Sequence, residues 1–132
     1  MFFTITTTEK DEMIDITDLV RQQIRTENFM DGFAFVFVPH TTAAVTINEN
    51  ADPDVVHDVK TILGKLIPWK DNYHHLEGNS AAHMKSILVG ASQWLRVENG
   101  APVLGTWQSV FFCEFDGPRT RKVLINLVPS MT

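Results

Sequence analysis

Apolar and polar positions alternate from Phe2 to Thr8, with Phe3 and Ile5 on one face, which is the period of a half-exposed strand. The period then lengthens: Ile16, Leu19, Val20 and Ile24 recur at helical spacing, with Asp15 or Thr17 as capping acceptor. Asp31-Gly32 turns the chain into Phe33-Ala34-Phe35-Val36-Phe37-Val38, apolar on both faces and so expected as a central strand. After His40-Thr41-Thr42, the stretch Ala43 to Asn48 reads as a second buried strand. Asp52-Pro53 starts a helix, a capping acceptor followed by proline at the first helical position. Val55, Val56, Val59, Ile62, Leu63 and Leu66 form its apolar stripe, and Pro68 ends it. A further helix runs from a cap at Ser80 or Asn79 through Val89, closed by Gly90. From Gln93 onward the pattern is strand and turn. Trp94-Leu95-Arg96-Val97 leads into a Glu98-Asn99-Gly100 hairpin turn, and Val110 to Phe115 is expected to pair with Val123 to Val128 across Asp116-Gly117-Pro118. The pattern predicts one α+β domain over residues 1–132, mainly an antiparallel β-sheet sandwich with two or three helices.

Composition narrows the classes of function. A chain of 132 residues, 44% hydrophobic and 20% charged, supports a real core in one domain. Its net charge of −5 argues against nucleic acid as a partner. The single cysteine, Cys113, forms no internal disulfide and sits among Phe111, Phe112 and Phe115 as a small core residue. No signal peptide or membrane span is expected, so the expected setting is the cytoplasm.

The chemistry concentrates in one place. Asp71 to His83 holds three of the five histidines together with a glycine and polar acceptors, residues that add little to a core. His75 and His83 flank Gly78-Asn79, so a loop can fold His75 over the first turn of the Ser80 helix, whose N-terminus favours a neutral imidazole. His40, just past a buried strand, is the third member. Three imidazoles with an open position make a catalytic metal site for zinc or a similar divalent ion; the competing reading is three hydrogen-bonded histidines. His74 and His57 are expected on the surface.

Asn48-Glu49-Asn50 closes a strand as either a site carboxylate with flanking amides or turn chemistry. Arg119, Arg121 and Lys122 are suited to a phosphate or carboxylate, although a charged hairpin end also arises simply as a solvated one. Trp107 beside Gln108 either stacks on a ligand ring or packs.

These stretches together resemble the YjbQ family, also called the secondary thiamine-phosphate synthase family. The resemblance rests on His40-Thr41-Thr42-Ala43, Asn48-Glu49-Asn50, Asp52-Pro53-Asp54-Val55, Tyr73, His75, Glu77-Gly78-Asn79, Ala82-His83 and Lys85. It continues through Gly90, Ser92, Gly100, Leu104-Gly105-Thr106-Trp107-Gln108, Glu114-Phe115, Gly117-Pro118-Arg119 and Arg121, so it spans nearly the whole chain. It implies a compact α+β domain, a homotrimer, recurring histidines at His40, His75 and His83, and the coupling of a pyrimidine diphosphate with a thiazole phosphate as a secondary activity.

The expected function is a small-molecule enzyme acting on a phosphorylated or anionic substrate. His40, His75 and His83 would hold the metal and take part in catalysis, with Glu49 as general acid or base. Asn48 and Gln108 would orient the substrate, and Arg119 or Arg121 would hold its anionic group. A histidine-bound ion suits hydrolase or lyase chemistry better than pyrophosphate departure, which favours magnesium on oxygen ligands. The alternative is a non-catalytic metal- or ligand-binding trimer, since Ser80, Ser86 and Ser92 have no triad context.

Overall fold

The computed structural model describes residues 1–131. In chain order its elements are β1 (Phe2–Thr6), β2 (Glu12–Asp15), α1 (Thr17–Thr26), β3 (Gly32–Phe37), β4 (Ala43–Glu49) and α2 (Pro53–Leu66). They continue as α3 (Ser80–Val89), β5 (Ser92–Glu98), β6 (Ala101–Pro102), β7 (Gln108–Glu114) and β8 (Thr120–Pro129). The strands form a five-stranded sheet in the order β1-β8-β3-β5-β6 and a three-stranded sheet in the order β2-β7-β4. Every pairing is antiparallel. This is the α+β sandwich that the pattern predicts.

The inner faces of the sheets meet in one core. Alternation along β8 points Val123 and Ile125 inward, against Ala34 and Val36 of β3 and Leu95 and Val97 of β5. Val45, Val110 and Phe112 answer from the smaller sheet, and Ile16, Val20 and Ile24 close one side through α1. The outer face of the smaller sheet carries Ala44, Phe111, Cys113 and Phe115 under Ala82, with Val56 and Leu63 of α2 packed alongside. Cys113 is therefore the core residue expected, and burial pushes its thiol up to about 12.

Three expectations need correction. β7 and β8 do not pair with each other: β7 lies between β2 and β4, and β8 lies between β1 and β3. The Asp116-Gly117-Pro118 turn is a corner between sheets, pinned where the Gly117 N–H donates to the Lys10 carbonyl. A side chain at Gly117 would place its Cβ 2.2 Å from the Glu9 carbonyl oxygen and 2.8 Å from Glu114 Cγ, so only glycine permits this approach. Secondly, β3 is central, yet its outer face is open: Phe33 and Phe35 lie beside Trp94, with Phe35 and Trp94 centroids 4.8 Å apart, and Phe37 stacks on Phe35. α2 and α3 pack against the outer face of the smaller sheet, and α1 closes the core between the sheets, so among the described residues no helix lies over this face. Thirdly, α2 begins as predicted, with Asp52 Oδ1 accepting the Asp54 N–H at 2.9 Å, but none of its residues is buried. Ile62 and Leu66 stay 54% and 68% exposed.

α3 is held more firmly. Ser86 Oγ donates to the Ala43 carbonyl at 2.6 Å, and the buried Lys85 ammonium meets Asp11 at 3.0 Å. Gly90, at φ 103°, ends the helix as expected.

These packings set a contrast for urea melts. Phe112→Ala leaves a cavity between the sheets and should cost about 3–5 kcal/mol. His57→Ala, on the solvated face of α2, should stay within about 0.5 kcal/mol of the parent.

Candidate functional site

One end of the sandwich is closed by charge instead of hydrocarbon. Glu114 on β7 and Arg121 on β8 both face the space between the sheets, where apolar neighbours fill the remaining inward positions. Glu114 is 0% exposed and Arg121 5%. Arg121 Nε donates to Glu114 Oε1 at 2.8 Å and Nη2 to Oε2 at 2.5 Å, a bidentate pair joining one sheet to the other. Burial pulls the Glu114 carboxyl upward, but the bonds it accepts from Arg121, the Asp116 N–H and the Thr7 hydroxyl outweigh burial and hold it below its ordinary value.

The pair positions both walls of a pocket of about 690 Å³ lined by His40, Thr41, Thr42, His75, Glu77, Asn79, His83, Arg119 and Arg121 among others. On one wall, Arg121 Nη2 donates to Thr42 Oγ1 at 2.8 Å, fixing the β3–β4 loop that carries His40. His40 Nε2 accepts the Lys122 N–H at 2.9 Å. Burial, followed by the Arg121 charge, keeps His40 below its ordinary pKa. With Nε2 accepting, the neutral ring carries its proton on Nδ1. On the other wall, Glu114 Oε2 accepts the Asp116 N–H at 3.0 Å. Asp116 in turn accepts from Arg119 through its carbonyl at 2.7 Å and its Oδ2 at 2.9 Å, and from Asn79 Nδ2 at 2.9 Å.

His83 lies in the first turns of α3, and His75 comes from a loop in which residues 70–78 are all exposed. Their rings meet edge to face with centroids 5.5 Å apart, and His75 Nε2 is 4.0 Å from Glu77 Oε1. The loop thus folds His75 back over the start of α3, as the Gly78-Asn79 spacing predicts.

The three imidazoles share this pocket but do not make a ready metal-ligand set. Among the described residues, no group of three His, Cys, Asp or Glu side chains is arranged to hold an ion. The Nε2 lone pair of His40 is already occupied by the Lys122 N–H.

Other expected members lie elsewhere. Glu49 ends β4, six residues beyond Ala43, which is about 20 Å of extended strand away from the His40 end. Its cross-strand partner Gln108 accepts the Gly105 N–H at 2.8 Å, closing a local turn. Asn48 accepts the Glu49 N–H at 2.7 Å and lines a separate apolar cavity of about 310 Å³ against α2. Asn48 and Glu49 are the last two residues of β4, paired with Ser109 and Gln108 of β7. Arg121 lines the pocket, but its Nε and Nη2 are committed to Glu114 and Thr42, which leaves Arg119 as the arginine better placed for a ligand. His57 and His74 are exposed, as expected.

Sequence reasoning missed Glu114, Asp116 and Asn79. A signal existed for the first: an acid inside Phe111-Phe112-Cys113-Glu114-Phe115 must be paired, and Arg121 falls in step with Val123 and Ile125 on the inward face of the next strand.

A family model described as UPF0047 protein YjbQ-like matches residues 1–130. The chain belongs to the YjbQ/UPF0047 family. Among curated relatives, the UPF0047 protein YugU of Bacillus subtilis is 53% identical over 125 residues, covering 94% of this chain and 95% of its own. A UPF0047 protein of Methanocaldococcus jannaschii is 50% identical over 126 residues, covering 96% of this chain and 91% of its own. The crystal structure of a YjbQ/UPF0047 family protein from Clostridium acetobutylicum superposes with a TM-score of 0.95 at 49% identity, covering 97% of this chain and 99% of that one. The sandwich is thus a family architecture. No helix among the described residues is long and apolar enough to cross a membrane.

The buried pair has a pH signature in this family member. Because the folded-state carboxyl of Glu114 titrates below the ordinary 4.5, the folded protein binds fewer protons than the unfolded chain in that interval. Its stabilisation is fully present above about pH 4.5 and is lost as pH falls through the folded value. Glu114→Ala leaves Arg121 buried and unpaired, so urea melts at pH 7 should show a loss of about 3–5 kcal/mol. Melts repeated down to pH 3 should then show a shallower acid decline in the variant than in the parent.

Proposed function

We propose that the YjbQ pocket binds a small anionic molecule, a phosphate-bearing one first, and moves a proton on it. The observation that carries this reading is the approach of His75 and His83, centroids 5.5 Å apart, in the same pocket as Arg119. Arg119 is anchored to Asp116 through Nε and Nη2, leaving Nη1 for an anion. His40 contributes an Nδ1–H donor. His75 and His83 are the exchangeable pair, one accepting a proton from the substrate while the other donates, because neither is locked to a backbone partner as His40 is. Glu77 beside His75 steadies the imidazolium that forms.

Within this reading, thiamine-phosphate formation is a secondary activity. Arg119 suits the phosphate of either substrate, but imidazoles are poor company for the magnesium that a departing pyrophosphate favours. The proposal requires no metal. A zinc ion on His75 and His83 would need a further ligand to move in, and a stoichiometric ion found by metal analysis of the purified protein would replace the present reading.

A second reading, a non-catalytic ligand-binding homotrimer, is favoured by the bare apolar side chains Met84, Ile87 and Leu88 on α3 and Ile62 and Leu66 on α2. A neighbouring copy would cover them. Light scattering gives the copy number, and a trimer that binds phosphate yet turns over no phosphorylated compound in a screen would establish that reading.

Calorimetry with inorganic phosphate and a screen of phosphorylated small molecules test the enzyme. The parent should bind, Arg119→Gln should weaken binding roughly tenfold, and His75→Ala or His83→Ala should abolish turnover with melting unchanged. Phosphate binding absent in the parent, or turnover intact in both histidine variants, would sink the proposal.

A further inference from the structure

The histidine pocket does not end at His83. A second cavity of about 350 Å³ adjoins it, and His40, Thr41, His83 and Ala91 line both. Spacing along α3 explains the continuation. His83, Ser86 and Ile87 recur at i, i+3 and i+4 on one face of the helix, and Gly90 completes the row just past its end. From His83 to Gly90 this row runs about 10 Å at the helical rise.

The two cavities differ in chemistry. The first holds Arg119 and Glu77 as well as histidines, whereas among the described residues lining the second only His40 and His83 are ionisable. Polar groups in the second are already bonded. Ser86 Oγ donates to the Ala43 carbonyl at 2.6 Å, the Gly90 carbonyl accepts the Val45 N–H at 3.0 Å, and the Ala91 carbonyl accepts the Val38 N–H at 2.8 Å. Ile87 presents its hydrocarbon 75% exposed, and a Cβ at Gly90 would meet nothing within 4 Å, so the space beside them is open. Beyond the two histidines, such a cavity gains from apolar contact and offers a second charge no partner. His83 belongs to both cavities, whereas its proton-moving partner His75 lines only the first.

Resting on the anion-binding reading above, we infer that the substrate is a phosphomonoester of two unlike parts. Its phosphate lies in the first cavity with Arg119, and a short, uncharged, apolar group extends along α3 into the second, so that the bond joining them passes His83. Inorganic phosphate therefore fills only part of the site.

The test is calorimetry near neutral pH with inorganic phosphate and with n-butyl phosphate, on the full chain and its variants. In the parent, butyl phosphate should bind about tenfold more tightly than inorganic phosphate. Ile87→Gln removes hydrocarbon from the second cavity alone, and should cut that ratio to about twofold or less with inorganic phosphate still bound as in the parent. Ile87→Leu, which keeps the hydrocarbon, should retain the ratio. Met84→Gln, on the same helix but lining neither cavity, should retain it too. Equal affinities in the parent, or an advantage that survives Ile87→Gln, would overturn the two-part substrate while leaving the anion site standing. Failure of both ligands to bind the parent would remove the anion site and this inference together. Loss of the advantage in Met84→Gln as well as in Ile87→Gln would assign it to a face of α3 covered by a second copy, and would overturn the inference by that route.

Discussion

The ion pair between Glu114 and Arg121 is the constraint on which the site depends. Each residue belongs to a different sheet, so the pair fixes the end of one sheet against the other. From its two ends run the bonds that locate the pocket. Arg121 holds Thr42 and hence the loop of His40, while Glu114 holds Asp116, which holds both Arg119 and Asn79. Thr7 adds a third support, its hydroxyl donating to Glu114 Oε1 at 2.8 Å. Polar groups that face solvent on the pocket side are thus positioned by polar groups that face none.

Legibility in the sequence followed the range of the interaction. Local signals read well: Asp52-Pro53 capped α2, Asn99-Gly100 turned β5 into β6, and Gly90 ended α3. Each depends on backbone geometry within a few residues. The Gly78-Asn79 spacing that returned His75 to His83 is of the same kind. Pairings that depend on distant partners did not read. An apolar run cannot state which strand it will join, so β7 and β8, near in sequence and linked by a turn, match each other by pattern although they lie in different sheets. Grouping Glu49 and Gln108 with the histidines failed for a similar reason. The two are neighbours across β4 and β7, but at the opposite end of β4 from His40. An apolar stripe such as that of α2 states only that a face prefers cover, not that its own chain supplies it.

The pocket joins a firmly bonded wall to a loosely packed one. His40, Asn79 and Arg119 are tied through named bonds to the buried pair, and α3 is anchored through Ser86 and Lys85. The segment from 70 to 78 has no buried residue and is braced by few bonds, among them Tyr73 Oη to the Pro68 carbonyl and the Gly78 N–H to the His75 carbonyl. Weakly packed segments open at low cost in free energy. His75 can therefore swing without disturbing the bonds that hold His40, Asn79 and Arg119 in place.

The choice of a charged pair at the end of the sandwich is itself informative. Packed hydrophobic residues of similar volume often replace a buried pair with no loss of stability, so stability alone does not explain why charge is used there. A pair of leucines would close the gap as well, yet it would offer Thr42 no donor and the Asp116 N–H no acceptor. Both walls of the pocket would then lack a reference point. Arg119 and Arg121, separated by one residue, show the consequence. The inner arginine is committed on two of its nitrogens, and that commitment lets the outer one stand in a fixed direction with a nitrogen to spare. The fold spends charge in its interior to set the position of charge at its surface.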